Sequence, residues 1–336
     1  MKIGKPFLVA EISANHCGDF KMAKKLIKCA KDNNADAVKL QTYNADTMTI
    51  KSNKKYFKIK NGLWKNYNLW DLYDKAHTPF EWHNKLFEYA KKLGIIIFST
   101  PFDETAVDLL EKLKCPIYKI SSFEMTDIPL IKKISRTNKP IIMSTGMATL
   151  NEVQAAMKIL LEVGLEKDNL IIMHCVTEYP APMDEVNLQA MLTIRDELGV
   201  RVGYSDHTRG IEISVAAVAM GATVIEKHFT LDRSLSGPDH AASLEPSELK
   251  AMISSIRNVE KAMGNGIKLP SKSEEKNILI ARKSIVAKYP IKRGDIFTER
   301  NLTTKRPSTG ISPMEWDNII GKTSNYDFET DDIIAI

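Results

Sequence analysis

Two histidines lie at the ends of two consecutive apolar segments, and their spacing suits a metal site. His207 ends the segment 200–207, and His228 is the penultimate residue of the segment 222–229. If these segments form adjacent parallel strands, about 4.8 Å apart, both imidazoles can bind one divalent cation. Two imidazole ligands leave positions open for water and substrate, as in a Lewis-acid site. The sequence contains no HxH pair and no HExxH helix, which argues against the common zinc hydrolases.

Two lysines stand inside otherwise apolar segments, where a charged side chain is costly to bury without a partner. Lys39 shares a strand face with Gln41, and Lys119 shares one with Ser121. Either each lysine extends its ammonium group to the solvent at the edge of the sheet, or it neutralises a bound anion. Hydroxyl residues at several segment ends favour an anionic ligand that carries a phosphate or carboxylate group. These residues include Thr100, Ser122, Ser144 and Ser205.

Carboxylates just beyond segment ends are available for proton transfer. They are Glu11, Glu124 and Asp239, and a positioned carboxylate can act as a general acid or base. A further histidine, His174, stands beside Cys175 at the end of another apolar segment. For His174, a hydrogen-bonded core position is the favoured interpretation.

The segments that carry these residues belong to an eightfold pattern. Each is a mostly apolar, continuous run, as expected for a strand buried on both faces. Helical patterns separate them, with predicted capping boxes at Thr78–Glu81 and Thr149–Glu152 and a closing glycine at Gly94. This alternation predicts an α/β fold, a (β/α)₈ TIM barrel. A doubly wound open sheet is the alternative, but no GxGxxG turn follows an early strand. The eight segments are 7–13, 37–43, 95–102, 117–122, 140–146, 170–176, 200–207 and 222–229.

Changes of composition divide the chain into a barrel, a linker and a small domain. The barrel occupies 1–264, and an aromatic-rich insertion at 44–77 either caps the core or overhangs the active site. The polar, lysine-rich stretch 265–277 is typical of a linker. Residues 278–336 hold short β-like pieces at 284–287, 295–297 and 332–336, which predict a small β-rich domain.

Charge and cysteine usage narrow the classes of function and the compartment. The chain has 336 residues and a net charge of +5, without a basic stripe interleaved with aromatic residues, so nucleic acid is not an expected partner. Four scattered cysteines without a CxxC pair indicate reduced thiols. We find no signal peptide and no run of membrane-spanning length, and we therefore expect a cytoplasmic protein that does not bind membranes.

Short motifs occur along nearly the whole chain: AEISANHCG, AVKLQTY, FSTPFDETAVDLLE, YKISSFE, STGMAT, HCVTEYPAP, GYSDHT, ATVIEKHFT, GPDHAASLEP, ARKSIVA and KRPSTGISP. With them the chain resembles the phosphoenolpyruvate-dependent nonulosonic acid synthases, the sialic acid synthase family. The resemblance implies a TIM barrel followed by a small antifreeze-protein-like SAF domain. It also implies a domain-swapped homodimer, in which the tail of one subunit covers the barrel mouth of the other.

The resemblance implies roles for residues that match the family motifs. His207 and His228 match the metal ligands, usually for Mn²⁺ or Mg²⁺. The residues that match phosphoenolpyruvate contacts are Lys39, Thr100, Lys119, Ser122, Ser144, Thr177 and Ser205, and many members have Asn in place of Thr177. The positions that face the sugar are matched by Glu11, Gln41, Tyr179 and Asp239, and Arg306 matches an arginine that the partner's tail sends into the site.

The reaction implied by the resemblance joins phosphoenolpyruvate to the open-chain aldehyde of an N-acetylated amino sugar. The metal polarises the aldehyde oxygen, carbon 3 of phosphoenolpyruvate attacks the aldehyde carbon, and water adds to carbon 2 before phosphate leaves. Lys39 and Lys119 hold the phosphate and carboxylate and fix the reacting distance. Glu124 is the candidate group for the proton of that water, and a metal-bound water is the competing candidate.

Two parts of the sequence favour different sugars. QTYNADTMTI, NGLW, LWDLY and SSFE resemble the pseudaminic acid branch, which acts on 2,4-diacetamido-2,4,6-trideoxy-altrose. GPDHAASLEP and KSEEKN…ARKSIVA resemble sialic or legionaminic acid synthases. The front half lies nearest the variable end of the sugar, so pseudaminic acid synthesis is the prediction. A pocket lined by Trp64 or Trp70 would suit a 6-deoxy methyl group.

Two other classes of function stay open at this stage. A metal-dependent barrel hydrolase or isomerase could use the same two histidines without phosphoenolpyruvate. The tail could act as an ice- or carbohydrate-binding module, but its charged KRGD and KRPSTG segments offer no flat, threonine-rich face.

Overall fold

The structure is a computed structural model that describes residues 5–60, 65–237 and 239–336. It divides into two compact units, Met1–Gly264 and Asn265–Ile336. Across the described residues, the helices are too short or too polar for any of them to traverse a bilayer.

The first unit is a closed barrel of eight parallel strands in chain order. Each predicted apolar segment contains one strand, so the predicted TIM barrel is confirmed and the open-sheet alternative is wrong. The observed strands are one to three residues shorter than the predicted segments, because the ends of the segments turn into the loops that carry the site. The strands are β1 (Phe7–Glu11), β2 (Ala37–Thr42), β3 (Ile96–Pro101), β4 (Tyr118–Ile120), β5 (Ile141–Ser144), β6 (Leu170–His174), β7 (Arg201–Asp206) and β8 (Val224–His228).

Helices surround the barrel and bury one face of each strand. On β2, Val38 and Leu40 are fully buried in the apolar cluster that also contains Leu26 and Ile27 of the first helix. The alternate side chains, Lys39 among them, therefore lie on the inner face of the barrel. The helices of this unit are α1 (Phe20–Asp32), α2 (Ala45–Met48), α3 (Leu69–Ala76), α4 (Phe80–Leu93), α5 (Glu104–Lys112), α6 (Ile128–Ser135), α7 (Leu150–Glu162), α8 (Gln189–Leu198), α9 (Glu212–Ala219) and α10 (Pro246–Ala262). Short 3₁₀ turns occur at Ser13–His16, Lys55–Phe57, Lys167–Asn169, Met183–Glu185 and His240–Ala242.

One of the two predicted capping boxes forms. Thr149 and Glu152 exchange both capping hydrogen bonds at the start of α7, and Gly94 ends α4 in a left-handed conformation with φ of 67°. The box predicted at Thr78–Glu81 is wrong, because Thr78 Oγ1 lies 3.1 Å from His16 Nε2 and Pro79 precedes α4 without a side-chain cap. A tertiary partner thus replaces a local one, which the local pattern does not reveal.

The second unit has its own small core. It contains α11 (Lys272–Ala281), the antiparallel strands β9 (Ser284–Ala287) and β10 (Leu302–Lys305), a 3₁₀ turn at Pro313–Glu315 and α12 (Trp316–Ile319). The predicted piece at 284–287 is a strand, whereas the pieces at 295–297 and 332–336 contribute only single bridges, at Ile296 and Ile333. Helix α11 begins inside the stretch predicted as a linker. The residues of this core are Ile285, Ala287, Ile291, Phe297, Leu302, Ile319, Phe328 and Ile334.

Candidate active site

A cavity of about 540 Å³ opens where the carboxyl ends of the barrel strands meet. This volume suits a small-molecule ligand, and the position is that of active sites in TIM-barrel enzymes. Thirteen of the fifteen site residues predicted from the sequence line it. They are Lys39, Gln41, Thr100, Lys119, Ser122, Glu124, Ser144, Thr177, Tyr179, Ser205, His207, His228 and Asp239.

The two histidines face each other across the ends of β7 and β8. Their ring centroids lie 5.6 Å apart. His207 Nδ1 lies 2.6 Å from the carbonyl oxygen of Val176 and donates to it, which leaves Nε2 as the candidate ligand atom, with Ser205 Oγ 3.4 Å away. His228 Nδ1 is buried and has no hydrogen-bond partner among the described residues.

Burial keeps both imidazoles in the neutral form. It lowers the pKa of His207 to about 4, helped by the charge of His228, and the pKa of His228 to about 3, helped by Lys39. A neutral imidazole is the form that binds a metal ion. The pair therefore fits one divalent cation, with the remaining coordination positions left to water or substrate. The described residues contain no cluster of three or more His, Cys, Asp or Glu side chains able to hold a metal.

The two buried lysines have carboxylate partners of the protein itself. Lys39 forms an ion pair with Glu11, and Glu226 Oε1 lies 3.6 Å from Lys39 Nζ and 3.5 Å from Lys119 Nζ. The two lysines lower the pKa of Glu226 against the effect of burial. Burial lowers the pKa of Lys119. The fold thus supplies two carboxylates as partners of the lysines, in addition to any anionic ligand.

Glu11 does not line the cavity. Its side chain is fully buried, accepts a hydrogen bond from the backbone N–H of Ser13 at 2.8 Å, and pairs with Lys39. Burial raises the pKa of Glu11 to about 7, with Lys39 opposing the shift. In this structure Glu11 thus contacts the lysine that does line the cavity.

Hydroxyl and thiol groups form one wall. Ser122 Oγ accepts from the backbone N–H of Gly146 at 2.9 Å and lies 3.2 Å from Cys175 Sγ. Gly146 is required here, since a Cβ would lie 2.4 Å from Thr177 Cγ2. Ser144 Oγ is buried without a hydrogen-bond partner among the described residues, so it is available to a ligand.

Glu124 is the acid–base candidate among the residues that line the cavity. It lies three residues beyond Ser121 and accepts a hydrogen bond from that hydroxyl. Burial raises the pKa of Glu124 to about 7, against the opposing effect of the Ser121 hydrogen bond. Near neutral pH the carboxyl group can therefore both accept and donate a proton.

The insertion between β2 and β3 overhangs the cavity, which settles the alternative left open by the sequence. Apolar side chains of this insertion form part of the cavity lining. Trp70 lies outside the cavity lining, where its Nε1 donates to Asp46 Oδ1 at 2.8 Å and Lys51 lies over its ring. Trp64 lies outside the described residues. The insertion residues that line the cavity are Met48, Ile59, Leu69, Leu72, Tyr73 and Ala76.

Two predicted sugar contacts line the cavity and are held by neighbouring groups. The ring of Tyr179 packs against both His207 and His228. Asp239 accepts hydrogen bonds from Ser13 and from the backbone N–H of Ala14, and burial raises the pKa of its carboxyl group.

Two other residues singled out from the sequence have partners of their own. Arg306 belongs to the second unit, where its Nε donates to the carbonyl oxygen of Ala281 at 2.6 Å. His174 Nε2 lies 2.9 Å from the carbonyl oxygen of Val186 and its ring packs on Tyr204, as expected for a core histidine.

Sequence reasoning left several cavity residues without a role. Glu226 could have been assigned one, because it lies two residues before His228 on the same strand face. Tyr43 and Phe102 follow β2 and β3 and pack edge to face at 5.2 Å. Phe123 and Cys175 also line the cavity, and their positions in loops give no signal in the sequence.

Fold and cavity together define a TIM-barrel enzyme with a polar site at the carboxyl ends of its strands. A model of the NeuB family matches residues 26–268, and a model of the SAF domain matches residues 282–335. The chain therefore belongs to the NeuB family, and the predicted enzyme class, a nonulosonic acid synthase, is confirmed.

Individual relatives cover nearly the whole chain. An N,N'-diacetyllegionaminic acid synthase of Campylobacter jejuni is 50% identical over 331 residues, which cover 98% of this chain and 99% of the relative. A pseudaminic acid synthase of the same species is 41% identical over 331 residues, with 98% and 95% covered. Among solved structures, an N-acetylneuraminic acid synthetase of Leptospira borgpetersenii has a TM-score of 0.73 and 33% identity, with 82% of this chain and 90% of that chain covered.

Proposed function

We propose that the protein condenses phosphoenolpyruvate with 2,4-diacetamido-2,4,6-trideoxy-altrose to give pseudaminic acid and phosphate. The observation that carries this proposal is a set of buried polar atoms without partners among the described residues, all on residues that line one cavity. They are Ser144 Oγ, Glu226 Oε2 and His228 Nδ1. An unpaired buried polar atom is costly, so a polar ligand is the expected complement of this cavity.

The proposed phosphoenolpyruvate subsite is formed by Lys39 and Lys119 together with the hydroxyl wall. Lys39 Nζ donates to Thr100 Oγ1 at 3.0 Å, so a hydroxyl and an ammonium group present donors side by side. The phosphate and carboxylate groups need several donors in a low-dielectric cavity. The other hydroxyl and thiol residues of this subsite are Ser122, Ser144, Cys175, Thr177 and Ser205.

The proposed metal is Mn²⁺ or Mg²⁺, held by Nε2 of His207 and by the ring of His228. When bound, such a cation polarises the aldehyde oxygen of the sugar and makes its carbon electrophilic. The chain's own contribution is to keep both imidazoles neutral by burial and to fix the His207 ring through its bond to Val176.

Three bond changes complete the proposed reaction. Carbon 3 of phosphoenolpyruvate attacks the aldehyde carbon, and carbon 2 develops positive charge. Water then adds to carbon 2 and Glu124 accepts one of its protons, which passes to the alkoxide left on the former aldehyde oxygen. The C–O bond to phosphate breaks as the new hydroxyl on carbon 2 gives its proton to the departing phosphate and becomes the keto oxygen. The lysines hold the two anionic groups of phosphoenolpyruvate within reacting distance of the aldehyde, and the buried site excludes bulk water from the carbon 2 cation.

The apolar overhang supports a 6-deoxy sugar. Ile59, Leu69 and Leu72 line the mouth of the cavity, and an apolar wall favours a methyl group over the hydroxymethyl of N-acetylmannosamine. The pseudaminic-like motifs LWDLY and SSFE lie in the overhang and beside Glu124. This position next to the cavity supports the altrose isomer.

A second candidate is the corresponding mannose isomer, the substrate for N,N'-diacetyllegionaminic acid. It is supported by the 50% identity to a synthase of that name, against 41% for the pseudaminic acid synthase. Sequence identity over a whole chain weights the residues of the outer helices and of the second unit equally with the residues that line the cavity. For this reason we place the candidate second.

We further propose that the active form is a domain-swapped homodimer in which Arg306 of the partner subunit enters each site. The support is the match of KRPSTG to the family motif.

A substrate panel tests the function. The full-length chain is incubated with phosphoenolpyruvate, Mn²⁺ and, separately, the altrose isomer, the mannose isomer and N-acetylmannosamine, and phosphate release is measured. We expect release only when sugar, phosphoenolpyruvate and metal are all present, with the highest kcat/KM for the altrose isomer. Preference for the mannose isomer would establish the second candidate. Turnover of a sugar without phosphoenolpyruvate would indicate a hydrolase or isomerase instead.

A further inference from the structure

Two charged side chains face away from the cavity on the strands that carry the histidines. Side chains alternate between the two faces of a strand. Asp206 is therefore on the other face of β7 from Ser205, and Lys227 is on the other face of β8 from Glu226. Asp206 and Lys227 are partners in the register between β7 and β8. Lys227 Nζ lies 2.8 Å from Asp206 Oδ2, and the two side chains are only 1% and 0% exposed.

Every oxygen of the Asp206 carboxylate is occupied. Oδ2 accepts from Lys227 and, at 2.6 Å, from the hydroxyl of Ser214 on α9. Oδ1 accepts from the backbone N–H of Thr208 at 2.9 Å and from its hydroxyl at 2.7 Å. Lys227 Nζ also donates to the carbonyl oxygen of Thr208 at 2.8 Å. The network therefore joins β7, β8, α9 and the first residues of the loop after β7.

This network encloses the backbone of His207. Asp206 precedes His207 and Thr208 follows it, and both neighbours are fixed by the same ion pair. The pair between Asp206 and Lys227 is also the last one in the β7–β8 register, so His207 lies just beyond the hydrogen-bonded part of its strand. His228 directly follows Lys227 and is held on its other side by pairing with Glu11 of β1.

The contribution of this ion pair to folding stability does not by itself explain why it is buried here. Desolvation of two buried charges offsets most of their attraction, so a buried pair contributes little net stability compared with apolar residues of similar size. Its geometric effect is specific, since it joins the ends of the two strands whose next residues are the histidines.

We propose that Asp206 and Lys227 are positioning residues that fix the separation of His207 and His228 for one divalent cation. This role rests on the proposed function, which places a cation between those imidazoles. The ion pair acts from the outer face of the sheet and touches neither substrate nor cation.

Mn²⁺ binding to the full-length protein tests the proposal by calorimetry. The double variant Asp206→Asn/Lys227→Met removes both charges together, so no unpaired charge stays buried. We expect its Kd for Mn²⁺ to rise about tenfold or more, as for other groups that orient metal ligands. The matched control is Asp36→Asn/Arg257→Met, which removes an ion pair next to the amino-terminal end of β2. We expect its Kd to stay within about twofold of wild type, because distant sites act independently.

The outcomes separate the positioning role from the metal site itself. An unchanged Kd in the folded Asp206→Asn/Lys227→Met variant overturns the positioning role alone. Absence of Mn²⁺ binding in the wild-type protein overturns both the metal site and the positioning role. If the double variant does not fold, the Ser214→Ala variant is measured instead, because it removes one hydrogen bond from Asp206. Weaker Mn²⁺ binding by this variant supports the positioning role, and unchanged binding overturns it.

Discussion

The ring of Tyr179 packs against the imidazole of His207, with 4.2 Å between the centroids, and meets His228 edge to face at 5.5 Å. One aromatic side chain thus contacts both candidate metal ligands from the loop after β6. The family motif predicts that Tyr179 contacts the sugar, and its position also suits a support for the two imidazoles.

We expect Tyr179→Ala to weaken Mn²⁺ binding while Tyr179→Phe retains it, since only alanine removes the ring. An aromatic contact contributes about 0.5–1.5 kcal/mol, which corresponds to a loss of affinity of about twofold to tenfold. Calorimetry with Mn²⁺ measures both variants. Equal weakening by alanine and phenylalanine would show that the hydroxyl, and not the ring, carries the effect.

His228→Ala is expected to abolish Mn²⁺ binding and nearly all condensation while the barrel still folds. One imidazole cannot hold the cation in place of two, and the substitution removes a buried ring from the cavity wall without breaking the backbone pairing of β8 with its neighbouring strands. Metal binding, phosphate release and circular dichroism are measured together. His174→Ala is the control, because His174 bonds the backbone of Val186 outside the cavity lining. Unchanged metal dependence of the His228→Ala protein would refute the ligand assignment.

Glu124 predicts the pH dependence of kcat. Its pKa is raised to about 7 by burial, so the ionised, proton-accepting form increases as pH rises through 7. We expect kcat to rise over the same range and level off above it. Glu124→Gln should remove this rise and lower kcat by about a hundredfold or more. The control is Glu178→Gln, at an exposed position next to Thr177 and Tyr179, which should keep the wild-type kcat and its rise with pH. A Glu124→Gln enzyme with the wild-type pH profile would exclude Glu124 as the base.

The strands and the inward residues could be predicted because both depend on short-range patterns. Continuous apolar runs identify buried parallel strands, and a period of two places Lys39 with Gln41 and Glu226 with His228 on one face. The position of each histidine at the end of its apolar segment is likewise a local property of the chain. The barrel then follows from the number and alternation of the segments.

What could not be predicted depends on contacts between distant residues. Thr78 bonds His16 instead of capping α4, and Glu11 pairs with Lys39 instead of facing the cavity. Trp70 turns toward Asp46 and Lys51, so Leu69 and Leu72 of the same helix line the cavity. In each case the partner is set by the tertiary fold, and no spacing rule identifies it.

The overhang predicts a change of sugar preference. Leu72→Ala should raise KM for the 6-deoxy substrate by about tenfold, because it removes apolar contact with the methyl group, and should change KM for N-acetylmannosamine much less. Trp70→Ala is a matched control on the same helix, two residues away and outside the lining. Steady-state kinetics on proteins with equal melting temperatures distinguish the two. If both substitutions change KM alike, the overhang affects KM through its own folding and not through contact with the sugar.

Mixed dimers test whether Arg306 acts in the partner's site. Arg306→Ala subunits keep an intact barrel, and His228→Ala subunits keep an intact tail, so a heterodimer of the two contains one complete site if tails are exchanged. After subunit exchange at equal amounts, half of the dimers are mixed and half of their sites are complete, which predicts about one quarter of the wild-type activity. Mixing His207→Ala with His228→Ala is the control, because both lesions lie in the barrel and no complete site can form. Phosphate release is measured on mixtures whose heterodimer content is checked by native mass spectrometry. Heterodimers without activity would show that each chain uses its own tail.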